Sequence, residues 1–305
     1  MTGGLVDLQL NGHAGLDFNS DHWTGEALLD CCRALRSEGI DGVLATVITA
    51  PWETMLRRVR RIVEAIESDA EIAQTVWGVH VEGPFLNPQP GYIGAHPVAA
   101  ACEAESRLVD QMLEVAGRHL RIWTLAPERD AGGLVTRLLS DAGVVVAAGH
   151  SDASSDQLRQ AIDQGLRLYT HLGNGCPALL PRHDNIIQRV LSLSDRLSIS
   201  WIADGHHVPL FALANYLRGV PDDRIIIVSD AMSAAGLGPG RYQLDEQWVE
   251  VDPDLSAWAA GREHFAGSAT SLAQMAGLLR DKLGITPARL ERWTRSNPLA
   301  LLQTG

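Results

Sequence analysis

Eight short runs rich in β-branched residues and leucine, separated by stretches patterned for helices, constrain what this chain can fold into more than any other feature. The runs lie at 5–10, 43–48, 76–81, 120–125, 144–148, 166–172, 197–202 and 225–228. Most are nearly continuous in apolar residues, as strands covered on both faces require, whereas a half-solvated strand would alternate. Strand-like runs alternating with helical segments predict parallel βα units, and eight strands close such units into a barrel. The expected fold class is therefore α/β, a (β/α)8 barrel of the TIM type.

The intervening segments carry the helical period. Met55, Leu56, Val59, Ile62, Val63 and Ile66 recur at spacings of three and four, which gives one apolar stripe with Arg57, Arg58 and Arg61 expected to face away from it. Leu108, Met112 and Val115 repeat the pattern, and Pro209 suits the start of a helix running to Leu217. After the eighth run the rhythm breaks. Gly236, Gly238 and Gly240 lead into an alternating stretch from Tyr242 to Val251, which predicts a hairpin-bearing insertion over about 233–268. Two helices are expected to close the chain, one after a Ser268 cap and one starting at Thr286-Pro287. Residues 1–305 read as a single catalytic barrel domain carrying that insertion.

Composition excludes several partners. A net charge of −12 argues against the basic surface that nucleic acids and anionic membranes require, so neither is expected. No run approaches the roughly 18 apolar residues of a membrane span, and the first residues lack a secretory pattern, so a cytoplasmic location is expected. Cys31, Cys32, Cys102 and Cys176 include no CxxC pair and fit reduced thiols without a catalytic role.

Glu82, His150, His171, Asp204 and Asp230 each fall at or just after the carboxyl end of a different apolar run. In a barrel those ends share one face, where the active sites of the fold are assembled. Two imidazoles and a carboxylate suit Zn2+ or a similar first-row ion, and three protein ligands leave a position where water can bind and ionise near neutral pH. The expected cofactor is one divalent cation on Glu82, His150 and His171, with Zn2+ first and Fe2+, Co2+ or Mn2+ as alternatives. The expected chemistry is hydrolysis. Asp230 ends the last run, where a carboxylate can pass a proton from water to a leaving group, or simply cap the following turn. Asp204-Gly205 reads equally well as a turn.

Further motifs extend the pattern. They include Val6-Asp7-Leu8-Gln9-Leu10-Asn11-Gly12, His80-Val81-Glu82-Gly83-Pro84-Phe85-Leu86, Gly94-Ala95-His96, Leu125-Ala126-Pro127-Glu128, Ala148-Gly149-His150-Ser151, Thr170-His171-Leu172-Gly173-Asn174, Ala203-Asp204-Gly205-His206-His207-Val208, Ser229-Asp230-Ala231 and Ala266-Gly267-Ser268. In this order they resemble the N-acetylglucosamine-6-phosphate deacetylases of the amidohydrolase superfamily. The resemblance implies that Glu82, His150 and His171 bind the metal, that Asp230 acts as general base and then acid, and that His96 helps polarise the acetyl carbonyl. It implies that Asn174, the backbone of Gly175, Arg182 and His207 bind the sugar phosphate. Arg182 and His207 would reach into a neighbouring subunit's site, which requires a homodimer. The implied reaction converts N-acetylglucosamine 6-phosphate to glucosamine 6-phosphate and acetate.

The chain also departs from that pattern. Gln9 and Asn11 stand where many amidohydrolases carry an HxH pair, so a single metal is expected. The chain starts at the first barrel strand and ends soon after Asn297-Pro298-Leu299, so the family's small β-sandwich is expected to be missing. Gly173 and Gly175-Cys176 replace bulkier residues, and Arg262-Glu263-His264-Phe265 precedes Ala266-Gly267-Ser268, both implying an altered pocket. His13, His183 and His264 match no family position and are expected at the surface or behind the site. Two alternatives stay open: a deacetylase or related amidohydrolase for another N-acylated amino sugar, with or without a phosphate, and a catalytically silent sugar-phosphate-binding barrel.

Overall fold

Each of the eight apolar runs is a strand, and all eight lie in one parallel sheet in chain order. They are β1 (Leu5–Leu10), β2 (Ile40–Ile48), β3 (Val76–Glu82), β4 (Leu120–Leu125), β5 (Val145–Ala148), β6 (Leu166–Tyr169), β7 (Ser198–Ile202) and β8 (Ile225–Val228). The computed structural model describes residues 3–244, 247–259 and 265–304. At the sheet's two edges β8 returns to β1. Asp230 N–H donates to the Gln9 carbonyl at 2.9 Å, Ser229 N–H donates to the Asp7 carboxylate at 3.1 Å, and Leu10 bridges Ala231. The result is a nearly closed barrel.

Around it run α1 (Gly25–Ser37), α2 (Trp52–Ser68), the short α3 (Ala70–Thr75), α4 (Ser106–Ala116), α5 (Leu134–Asp141), α6 (Ser155–Asp163), α7 (Ile186–Leu191) and α8 (Leu210–Arg218). The α2 stripe is buried as its period predicts, at Met55, Leu56, Val59, Ile62, Val63 and Ile66. Its arginines are not a bare solvent face. Arg57 and Arg58 pair with Asp21 at 2.7 and 3.4 Å, while Arg61 donates to the Asp21 and Trp23 carbonyls and lies 4.2 Å over the Trp23 ring. They pin the segment before α1, a use that helical periodicity cannot reveal because the partner lies outside the helix.

Strand residues alternate between the barrel interior and the layer under the helices, and the interior itself has two storeys. Its lower storey is apolar: Val6, Leu8, Leu44, Ile122, Val145, Ala147, Leu168, Ile226 and Val228 form one cluster closed from below by Leu301. One or two steps further along the strands the inward residues turn polar. Gln9 reaches Glu82 and Thr170, Thr170 reaches Ser200, and His80 reaches Thr124. On most strands period two delivers this oily plug beneath a hydrogen-bonded floor, while on β1, where Gln9 directly follows Leu8, an irregularity between Asp7 and Leu10 turns the amide inward.

After β8 come β9 (Gly240–Leu244), β10 (Gln247–Val251), β11 (Ser256–Ala259) and β12 (Phe265–Ser268), a four-stranded antiparallel sheet. The expected hairpin is its first half, with Tyr242 opposite Val249. Val249, Val251 and Ala257 bury against Ala234 and Ala269. The next helix, α9 (Leu272–Leu283), starts at Ser271 rather than at Ser268, because Ser271 forms a reciprocal capping box with Gln274. Thr286 caps α10 (Pro287–Glu291) as expected, and a π-turn leads on to α11 (Asn297–Leu302), which supplies Leu301.

Asp7 sits at the closing seam with 1% exposure, and its Oδ2 has no hydrogen-bond partner among the described residues. Burial raises its pKa from 3.8 to about 6, against the lowering effect of hydrogen bonds from Ser229 and Gln9. A folded-state pKa above the unfolded value means a penalty absent below about pH 4, growing through the window up to 6, and complete above it. Asp7→Asn keeps the acceptor and removes the charge. It should stabilise the fold at pH 8 by up to about 3 kcal/mol, with the gain vanishing near pH 4. Chemical denaturation at the two pH values checks this, and an equal effect at both would refute the assignment.

Candidate active site

The site is built where strands stop. Glu82 is the last residue of β3, while His150, His171 and Asp230 each lie two residues beyond the ends of β5, β6 and β8. These three have φ of 51°, 34° and 46°, a left-handed backbone that non-glycine residues adopt at roughly 1–3 kcal/mol each. Local hydrogen bonds hold the turns. Asn87 N–H donates to the His150 carbonyl at 3.0 Å, Asn174 N–H to the His171 carbonyl at 2.9 Å, and His171 N–H to Ser200 Oγ at 2.9 Å. The main chain leaves each strand abruptly and the side chain stays over the barrel mouth.

One Glu82 oxygen and one ring nitrogen each from His150 and His171 lie within 4.8 Å of one another, and all three residues are buried. Glu82 Oε1 is 2.8 Å from His171 Nε2 and 3.4 Å from His150 Nε2. His150 Nδ1 lies 2.7 Å from the Tyr92 carbonyl. A carbonyl only accepts, so Nδ1 carries the proton and the Nε2 lone pair faces the cluster. Burial opposes the Glu82 charge, yet His150 and His171 outweigh it and hold the carboxyl well below its usual range. For His171 burial favours the neutral ring, and Glu82 more than reverses that. A buried carboxylate with two imidazole nitrogens converging beside it is a donor set for a divalent ion of borderline softness, so these residues fit a metal.

His96, on the loop after β3, places Nε2 3.3 Å from His150 Nε2 and 3.7 Å from Glu82 Oε2. Burial and the neighbouring His150 lower its pKa to about 3, so the ring is neutral. Facing a lone pair on His150, its Nε2 is the donor of that pair. Asp230 is partly exposed at the mouth, and its Oδ1 accepts from Asn11 Nδ2 at 2.7 Å. Desolvation raises its pKa, with His171 opposing and Glu82 reinforcing.

Asp204 proves to be both a turn residue and an orienting group. Its Oδ1 accepts from the backbones of His206 and His207, and its Oδ2 lies 2.6 Å from His207 Nδ1. Burial lowers the His207 pKa, but Asp204 outweighs it and Asp230 of the same chain adds to the rise. Asn174 and Gly175 line the turn after His171. A Cβ on Gly175 would come 2.9 Å from His150 Nδ1, and one on Gly173 3.0 Å from Val208 Cγ2. Gly175 therefore gives clearance to a ring of the cluster rather than opening extra space. Arg182 is exposed and makes no hydrogen bond or ion pair among the described residues.

Sequence reasoning left some participants without a role. Glu128, three residues beyond the end of β4, accepts from Asn87 Nδ2 at 2.8 Å, Ser151 Oγ at 2.6 Å and Asp152 N–H at 2.7 Å. It thus ties the loop after β3 to the turn that carries His150. Its position just past a strand end was the available signal, the same one that marks the cluster. His80, in contrast, is held by the Leu8 carbonyl and Thr124 at 2.9 and 2.7 Å and stays neutral, with burial lowering its pKa to about 4. His13 is fully buried 3.1 Å from Glu38, not at the surface, while His183 is exposed. Arg262 and His264 lie outside the described residues.

An eight-stranded parallel barrel with a buried Glu-His-His cluster at the carboxyl ends of its strands defines a metal-dependent hydrolase of the amidohydrolase type. No protein-family model matches the chain. N-acetylgalactosamine-6-phosphate deacetylase of Escherichia coli O157:H7 is 32% identical over 297 residues, 97% of this chain and 76% of that one. N-acetylglucosamine-6-phosphate deacetylase of Homo sapiens is 35% identical over 301 residues, 94% of this chain and 70% of that one. Among solved structures, an Asp-to-Ala mutant of N-acetyl-D-glucosamine-6-phosphate deacetylase from Mycobacterium smegmatis, in complex with N-acetyl-D-glucosamine-6-phosphate, superposes with a TM-score of 0.86 at 28% identity, covering 99% of this chain and 77% of that one. The chain belongs to the N-acetylglucosamine-6-phosphate deacetylase family.

Because Glu128 fixes the turn that presents His150, Glu128→Ala should weaken Zn2+ binding about 10- to 100-fold while leaving the fold intact. Competition against a chromophoric chelator measures this. Unchanged affinity would reduce Glu128 to a loop staple.

Proposed function

We propose that this chain hydrolyses the N-acetyl group of N-acetylglucosamine 6-phosphate, releasing acetate and glucosamine 6-phosphate. The observation that carries the reading is the buried Glu82-His150-His171 cluster at the barrel mouth with Asp230 beside it, in a chain 35% identical to a named deacetylase. In this reading residues 1–305 act as one catalytic barrel with an insertion over about 233–268.

Glu82, His150 and His171 hold one divalent cation, Zn2+ on the chemistry of the donors. When bound, such an ion supplies Lewis-acid polarisation of the acyl carbonyl and acidifies a nearby water. His96 Nε2 donates a hydrogen bond to the acyl oxygen and stabilises the charge that develops there. Asp230 takes a proton from the attacking water as the oxygen–carbon bond forms, then gives it to the sugar nitrogen as the carbon–nitrogen bond breaks. A carboxylate whose pKa is raised by desolvation is suited to both steps. Asn174, the Gly175 backbone, His207 and Arg182 bind the sugar phosphate, with His207 biased toward its charged form by Asp204.

Arg182 is exposed and makes no hydrogen bond or ion pair among the described residues, and in this reading it serves the site of a second copy. Leu179 and Phe211 are 92% and 75% exposed and would be covered in such a homodimer. Leu179→Asp combined with Phe211→Asp should yield a monomer by light scattering and raise KM at least tenfold. A double variant that stays dimeric, or a monomer with unchanged KM, removes this part of the reading.

The activity itself is tested by acetate release from N-acetylglucosamine 6-phosphate beside N-acetylglucosamine, with Zn2+-loaded protein and an Asp230→Asn control. Turnover confined to the phosphorylated sugar, lost in the control, is expected. The E. coli relative's name makes N-acetylgalactosamine 6-phosphate the second substrate to assay. Equal turnover of the unphosphorylated sugar would favour a different N-acylated amino sugar, and no turnover of any would leave a sugar-phosphate-binding barrel.

A further inference from the structure

Strand β1 supplies none of the clustered donors, yet two of its carboxamides reach the site. Gln9 Nε2 donates to Glu82 Oε1 at 3.0 Å, and Asn11, just past the strand's end, donates from Nδ2 to Asp230 Oδ1 at 2.7 Å. Glu82 and Asp230 therefore each receive one amide from the same stretch of chain. The orientation of both amides is fixed by chemistry. Thr170 donates its hydroxyl to Gln9 Oε1, which leaves the Gln9 NH2 for Glu82. For Asn11, a flipped amide would set its oxygen against a carboxylate oxygen, so only NH2 can face Asp230.

The main chain around Asn11 is equally constrained. Asn11 N–H donates to the Ala231 carbonyl at 2.9 Å, and the Asn11 carbonyl accepts from Phe18 N–H at 2.9 Å. Asp230 N–H in turn donates to the Gln9 carbonyl. Both residues are thus bolted to the seam where β1 and β8 meet, and the 2.7 Å contact joins two fixed points. A carboxylate has two equivalent oxygens and a soft terminal torsion. A charge-assisted hydrogen bond to one of them removes the equivalence and holds the plane of the group.

We propose that Asn11 is a positioning residue for Asp230, occupying Oδ1 so that Oδ2 is the oxygen that carries the proton between water and the leaving amine. The inference rests on the reading of Asp230 as the acid–base group. Among the described residues Asn11 makes no hydrogen bond to Glu82, His150 or His171 and bonds instead to Asp230, Ala231 and Phe18, so its removal should leave metal content alone and act on the chemical step.

The test is steady-state hydrolysis of N-acetylglucosamine 6-phosphate by Zn2+-loaded wild type, Asn11→Ala, Asn11→Asp and Asp230→Asn, with metal content measured for each. Asn11→Ala should lower kcat on the order of ten- to a hundredfold with KM within about twofold and metal content unchanged. Asn11→Asp keeps the shape but sets an acceptor against Asp230, so it should be worse than Asn11→Ala. Unchanged kcat in Asn11→Ala, or an Asn11→Asp variant better than the alanine, would show that the side chain only packs. Wild-type turnover in Asp230→Asn would defeat the acid–base reading and this inference with it. An inactive Asp230→Asn beside an unaffected Asn11→Ala would defeat this inference alone.

Discussion

The structure depends on one buried anion. Glu82 is 3% exposed and ionised in spite of it, and taking a lone carboxylate out of water costs several kcal/mol even after the protein relaxes. Two imidazoles and the Gln9 amide offset part of that cost, and a divalent cation would offset the rest. Much of the surrounding architecture serves to keep those groups converged. The left-handed turns after β5, β6 and β8 swing the side chains over the mouth, the Tyr92 carbonyl fixes the tautomer of His150, and Glu128 fixes its turn.

The barrel supports this arrangement because its interior is stratified. Hydrophobic burial in the lower storey, sealed by Leu301, supplies stability at a distance from the chemistry. The upper storey is then free to be polar, provided that each group is paired. The pairs run across strands far apart in sequence: Gln9 with Glu82 and Thr170, His80 with Thr124, Asn11 with Asp230. Among the described residues Asp7 Oδ2, Asn11 Oδ1, His96 Nδ1 and His171 Nδ1 are exceptions, buried with no hydrogen-bond partner, and the Asp7 charge is disfavoured by burial.

Much of this was legible in the sequence. Both-face burial makes the strands read as apolar runs, and the boundary between run and polar residue marks the mouth of the barrel, so Glu82, His150, His171 and Asp230 could be placed together without coordinates. What periodicity cannot supply is the pairing between strands. The hydrogen bond between Asn11 and Asp230 spans 219 positions, and nothing local to either residue specifies it. Arg57, Arg58 and Arg61 looked like a solvated helix face for the same reason, since Asp21 and Trp23 enter from another element. The hairpin grew into a four-stranded sheet because the alternating signal was strong only in the Tyr242-to-Val251 stretch. The Ser268 cap gave way to Ser271, whose reciprocal bond with Gln274 is the stronger stop signal.

The most direct measurement is calorimetric titration of metal-depleted protein with Zn2+, with the unfolding temperature followed at each addition. One equivalent per chain should bind and raise Tm, as expected of a ligand taken up only by the folded state, and Glu82→Gln should abolish both effects. Failure to bind, two equivalents per chain, or binding that survives Glu82→Gln would contradict the assignment of this cluster as a single-cation site.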